Sequence, residues 1–149
     1  MNIVAIGAHP DDLEIFAYGF LAAASSRGDN LILGVATNGA AGGVNQGAKL
    51  ANQRSEEAKN GLAALGTPTL LDLPDGRLAD APNAQNRIKD FIRNAAPDLV
   101  ITHAPEDYPP DHRALATYVR DAAGFICPVL FCDTLMGVGF TPDYYIDIT

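Results

Sequence analysis

Tryptophan is absent from these 149 residues, cysteine occurs twice and histidine three times. Two cysteines, Cys127 and Cys132, cannot build a disulfide framework; set in or beside an apolar run, they read as buried thiols. Basic residues are also scarce, ten Lys and Arg against eighteen Asp and Glu, for a net charge of −8. A surface of that sign offers no electrostatic grip on nucleic acid or an anionic membrane. The longest apolar stretch, Ile15 to Ala24, is too short for a bilayer span, which needs roughly 20 residues. Asp11 and Asp12 precede it in place of a basic segment, so it does not read as a signal peptide, and a cytoplasmic protein is the expectation. No Gly-x-Gly-x-x-Gly follows the first strand, which counts against a nucleotide-binding module, and the loop Asn38 to Gly43 matches neither phosphate-loop spacing.

What is present is concentrated in one turn. The apolar run Ile3-Val4-Ala5-Ile6-Gly7 reads as a buried strand, and Leu13, Phe16, Phe20, Leu21 and Ala24 recur at helical spacing. His9, Asp11 and Asp12 therefore sit between a strand and a helix, at the sheet edge where open α/β folds place ligands. Imidazole and carboxylate together suit zinc. Asp11 diverges from its neighbour Asp12 and is free for proton transfer. Taken singly, each residue is as well read as a cap or a loop side chain; the cluster points to function.

The remaining strands are expected at Leu31–Ala36, Thr69–Leu73, Leu99–Thr102 and Val129–Cys132, with a further strand-like alternation at Tyr144–Ile148. Helices are expected at Asp12–Ser26, Ala48–Leu65, from an Asn83 cap to Pro97, and from Asp111-His112 onward. The first is apolar nearly all round, which suits burial by the sheet and by a second copy in a homo-oligomer. Alternating strands and helices predict one α/β domain, 1–149, with a parallel sheet. An order of 3-2-1-4-5 would make strands one and four neighbours and bring the His9 and His112 turns together. His9, Asp12 and His112 would then form a two-histidine, one-carboxylate site with an open position. Asn38, Arg54, Asp75 and the Tyr108 loop would open on the same crevice.

Ala8-His9-Pro10-Asp11-Asp12-Leu13-Glu14, Arg54-x-x-Glu57, Leu73-Pro74-Asp75-Gly76 and Asp111-His112-Arg113-Ala114 resemble, in order and over most of the chain, the PIG-L / LmbE-like zinc N-deacetylase family. The resemblance implies a Rossmann-like three-layer αβα sandwich, one zinc ion on His9, Asp12 and His112, and Asp11 as general base. It implies hydrolysis of an N-acetyl or other N-acyl group on a small amino-sugar substrate of the N-acetylglucosamine type. Asp111 would stand behind the ligands and Arg54 would reach substrate hydroxyls. Three departures stand out. Pro109 occupies a position where the family often has a histidine that steadies the oxyanion. Phe16 and Tyr18 replace glycines usual in the first helix. The chain stops at Thr149, where family members continue, so the family's C-terminal portion is expected to be lacking. His103 is either a substitute oxyanion donor or a histidine bonded at a strand end, and Tyr108 either a lid or a surface aromatic. A zinc-binding member with lost catalysis and a structural or interaction role is the other reading.

Overall fold

The computed structural model describes residues 1–44, 46–135 and 141–148. Five strands form one sheet: β1 (Asn2–Gly7), β2 (Asn30–Thr37), β3 (Thr69–Leu73), β4 (Leu99–Thr102) and β5 (Val129–Phe131). Their order is β3-β2-β1-β4-β5 and every pairing is parallel. Side chains alternate across a strand, so β1 sends Ile3 and Ala5 to one core and Val4 and Ile6 to the other. A strand covered on both faces must be apolar throughout, which is why β1 shows no polar alternation.

A widened π-helical turn, Leu13–Ala17, leads into α1 (Tyr18–Ser26); α2 (Ala48–Gly61), α3 (Ala84–Asn94) and α4 (Pro110–Ala123) follow. Leu13, Ala17, Leu21 and Ala24 pack with Ile3, Ala5 and Leu62 on one face of the sheet. Ile88 and Ile92 of α3 and Leu115 and Val119 of α4 pack with Val4, Ile6 and Val100 on the other. The result is a Rossmann-like three-layer αβα sandwich with a parallel sheet. Complete burial of a side chain such as Leu21 contributes about 1.5–3 kcal/mol relative to exposure.

Some local expectations fail for visible reasons. α2 ends at Gly61 rather than Leu65, because two glycines, Gly61 and Gly66, weaken helix continuation. A Cβ at Gly61 would also meet Glu14 Oε1 at 2.8 Å, so glycine permits the close approach of the turn after β1. Asn83 precedes α3 in the left-handed region (φ 62°) and makes no side-chain cap. Tyr144–Ile148 is not a strand. Its Ile148 lies over α1, occupying the space a side chain on Gly19 would need, while the segment stays exposed. Cys127 and Cys132 are only partly buried, and both are free thiols. No helix among the described residues is long and apolar enough to cross a membrane.

Candidate metal centre

Gly7 ends β1 and lets the chain double back: a Cβ there would lie 2.7 Å from Cβ of Asp12. At the same edge Thr102 Oγ1 donates to Ile6 O (3.0 Å), tying β4 to β1. Pro110 fits the first turn of α4, where no backbone donor is needed, and the helix then presents His112. Residues 103 positions apart thereby meet: His9 Nδ1 lies 3.1 Å from His112 Nε2.

The tautomers follow from the surroundings. His112 Nδ1 donates to Asp107 Oδ2 at 2.7 Å, so its Nε2 presents a lone pair. His9 Nε2 faces Asp75 Oδ1 at 3.3 Å and Asp111 Oδ2 at 3.4 Å, which keeps the proton there and leaves Nδ1 a lone pair. The Asp12 carboxylate faces both, with Oδ2 3.5 Å from His9 Nδ1 and Oδ1 3.4 Å from His112 Nε2. Two lone pairs and a carboxylate thus converge at 3.1–3.5 Å. Ligand atoms on a tetrahedral ion with 2.0–2.1 Å bonds stand roughly 3.3 Å apart, so this donor set fits one zinc-sized cation. Without a cation a proton takes its place. Burial opposes the charged form of His9, but Asp111, Asp12 and Asp75 outweigh it and push its pKa up to about 11. Burial likewise opposes charge on His112, yet Asp12 and Asp107 raise its pKa. Burial would raise Asp12; bonds from His103, His112 and His9 instead hold it well below the usual carboxylate range.

This cluster opens on a crevice of about 420 Å³ whose walls include His9, Asp12, His112, Asp11, Arg54 and Asp75. Asp12 is buried while the Asp11 side chain is 51% exposed, so the adjacent carboxylates do diverge. Burial raises the pKa of Asp11 and Arg54 partly offsets the rise. Arg54 is more committed than a residue reserved for substrate hydroxyls: Nη2 donates to Asp11 Oδ2 (2.9 Å) and Pro10 O (3.3 Å), and Nη1 to Gly39 O (3.2 Å). Gly39 (φ 68°) makes room for it, since a Cβ would lie 2.9 Å from Nη1. Asp75 also turns away from a purely substrate-facing role. Its Oδ2 accepts from Ala41 N (2.8 Å), and the bond to His9 lowers its pKa. Asp111 accepts from Gly76 N (2.7 Å) and Leu78 N (3.0 Å) while facing His9, which places it behind a ligand.

His103 is not in the crevice. It is 3% exposed and lies behind Asp12, beside a small cavity shared with Phe16 and Cys132. With Nε2 on Asp12 and its ring stacked on His112, the side chain faces the interior rather than the crevice. The Tyr108 ring is 72% exposed and does not line the crevice, whereas Pro109 does. Sequence reasoning passed over Asp107, whose buried carboxylate orients His112 and also accepts from the amides of Tyr108 (2.7 Å) and Leu135 (2.8 Å). Its one sequence signal is an acid five residues before a candidate ligand, which spacing alone does not separate from loop polarity.

The fold and the cluster define a parallel α/β domain with a His/Asp cluster that could hold a metal ion at the carboxyl edge of its central strands. The chain belongs to the PIG-L family: the family model described as GlcNAc-PI de-N-acetylase matches residues 4–123. Similar solved structures include the conserved protein TT1542 from Thermus thermophilus, 23% identical, TM-score 0.85, covering 99% of this chain and 72% of that one. N,N'-diacetylchitobiose deacetylase from Pyrococcus horikoshii is 22% identical, TM-score 0.83, covering 99% of this chain and 64% of that one. GalB, the 4-carboxy-2-hydroxymuconate hydratase from Pseudomonas putida, is 24% identical, TM-score 0.73, covering 82% of this chain and 55% of that one. This chain thus spans less than two thirds of the deacetylase and of the hydratase.

Proposed function

We propose that this protein is a zinc-dependent hydrolase that removes an N-acetyl or related N-acyl group from a small amino-sugar substrate. The observation that carries the reading is the convergence of His9 Nδ1, His112 Nε2 and Asp12 on one point beside a crevice, with Asp11 next to it. Zinc, when bound, supplies Lewis acidity toward the amide carbonyl and lowers the pKa of water. Asp11 takes the proton of the attacking water; as the carbon–nitrogen bond breaks, the same carboxyl returns it to the leaving amine. Burial makes Asp11 more basic than a free carboxylate, which suits that task, and Arg54 holds its orientation. Asp75 and Asp111 fix the His9 ring and Asp107 the His112 ring, so both imidazoles present the nitrogen needed. Pro109 offers the oxyanion no hydrogen bond. With His103 behind Asp12 and Tyr108 turned to solvent, neither side chain replaces it among the described residues.

We read residues 1–149 as one such domain, working in the cytoplasm with its thiols free. Pro109 also favours a second reading, a zinc-binding member with weak or lost catalysis. Incubating the zinc-loaded protein with N-acetylglucosamine and N,N'-diacetylchitobiose, with and without chelator, tests both. Chelator-sensitive release of free amine and acetate in equal amounts is expected. Bound zinc without amine release from any N-acyl sugar would leave the second reading. Because a hydratase shares the fold, and fold does not fix reaction, acetate must be measured beside the amine.

A further inference from the structure

His103 has no role in the hydrolysis described above, yet its surroundings are unusually specific. Its ring stacks on the ring of His112, with centroids 3.6 Å apart and planes 19° from parallel. Phe16 meets both rings edge-on, at 5.5 and 6.0 Å. Its Nε2 lies 3.0 Å from Asp12 Oδ2 and 3.0 Å from the backbone nitrogen of Ala8. Its Nδ1 is buried without a hydrogen-bond partner, 3.7 Å from Asp107 Oδ2. One buried histidine therefore leans on one candidate ligand, His112, and bonds another, Asp12.

The proton of His103 has two places to sit. On Nδ1 it would leave Nε2 facing the Asp12 carboxylate at 3.0 Å with nothing between them. On Nε2 it satisfies the carboxylate and costs Ala8 N–H an acceptor. A bare imidazole lone pair held 3.0 Å from a buried carboxylate oxygen is the more costly of the two, so the proton belongs on Nε2. Nδ1 is then a bare lone pair, which agrees with its lack of a hydrogen-bond partner. Asp12 Oδ2 then receives two donors, His103 and the backbone N–H of His9 at 2.6 Å. Oδ2 lies 3.5 Å from His9 Nδ1 but is already occupied by these two donors; Oδ1, 3.4 Å from His112 Nε2, is the oxygen whose lone pairs stay free.

We propose that His103 is a positioning residue of the metal centre: it holds Asp12 Oδ2 so that Oδ1 alone is presented to the cation, and its stacked ring keeps His112 in register with that oxygen. The proposal rests on the metal-binding reading above and not on the identity of the substrate. A one-oxygen carboxylate suits the tetrahedral geometry of zinc, whereas a carboxylate free to pivot does not enforce it.

The test is zinc affinity, measured by chelator competition on the whole chain, with the melting temperature of the metal-free protein alongside. The amide nitrogen of glutamine can stand where Nε2 stands; that of asparagine is too short and stands where Nδ1 stands. His103→Gln should hold zinc close to the wild-type affinity, and His103→Asn should hold it about 10–100-fold more weakly, the usual loss for a group supporting a ligand. His103→Phe keeps a stacked ring without a donor and should resemble His103→Asn. A role in packing alone would move the metal-free melting temperatures and leave the zinc affinities of the Gln and Asn variants equal; that result overturns the proposal. Should His103→Phe fail to fold, the Gln and Asn pair decides by itself. Wild-type protein that binds no zinc overturns both this proposal and the reading beneath it; wild-type binding with equal variants overturns this proposal alone.

Discussion

Arg54 donates from Nη2 to Asp11 Oδ2 at 2.9 Å, joining the middle of α2 to the turn after β1. The same guanidinium also reaches Pro10 O and Gly39 O, so the turn after β1 and the loop after β2 share one cation. A planar fork makes that possible and a lysine does not. Arg54→Lys is therefore expected to retain zinc and lose turnover by about 10–100-fold, the effect of one hydrogen bond to a charged group. Metal content and amide hydrolysis measured on the same preparation check it. Loss of zinc together with activity would move Arg54 from positioning Asp11 to supporting the metal centre.

The two adjacent carboxylates should separate by mutation. Asp11→Asn is expected to keep its metal and lose about 10²–10⁴ in rate, the usual cost of removing a general base. Asp12→Asn should instead release zinc, because Asp12 lies within 3.5 Å of both ligand nitrogens. Elemental analysis after dialysis, paired with an amine-release assay, distinguishes them. Equal zinc loss in both variants would show that the roles are not divided as assigned.

Protonation gives a pH prediction. In the metal-free protein His9 has a pKa of about 11 against 6.5 for the ordinary side chain, so the folded state holds this proton more tightly. Its contribution to stability is complete below pH 6.5 and is lost as pH rises through about 11. Asp12 works in the other direction: its pKa is lowered, so its contribution is present above pH 3.8 and is lost as pH falls. The metal-free melting temperature should therefore be lower at alkaline than at mildly acidic pH. Zinc must displace the His9 proton, so titration at neutral pH should release about one proton per ion, and affinity should rise with pH. Calorimetry in two buffers of different ionisation enthalpy reads the proton directly; no release would contradict the raised pKa of His9 in the metal-free protein.

Pro109 is the clearest departure from the family pattern, and it lines the crevice. A histidine there would add a hydrogen-bond donor, and one oxyanion donor is worth about 10²–10³ in rate. Pro109→His should raise amide hydrolysis if the centre is catalytic and only weakened. The substitution also frees backbone at the start of α4, so zinc content and melting temperature are measured beside the rate. Unchanged turnover with fold and metal intact would favour the reading in which catalysis has been lost.

Local pattern by itself determined the strands and the first contact between chemistry and fold. β3 and β4 lie at the predicted bounds, because short, largely apolar runs begun after Pro68 and after Pro97-Asp98 leave few alternatives. The strand order and the meeting of His9 with His112 were legible too, since right-handed crossovers leave β1 and β4 as neighbours. What the sequence left open was the direction in which each remaining side chain points. His103 and Tyr108 stand on the same loop side of β4, yet one is buried behind Asp12 and the other faces solvent. Asp107 reads as loop polarity until α4 folds back and places His112 Nδ1 2.7 Å from it. Tyr144–Ile148 alternates as a strand does, but it is not one, and Ile148 instead sits over Gly19 of α1. Spacing along the chain specifies which edge of the sheet a residue reaches. Only packing in three dimensions decides whether its polar atom finds water, a substrate or another side chain, because that choice depends on contacts up to 103 residues away.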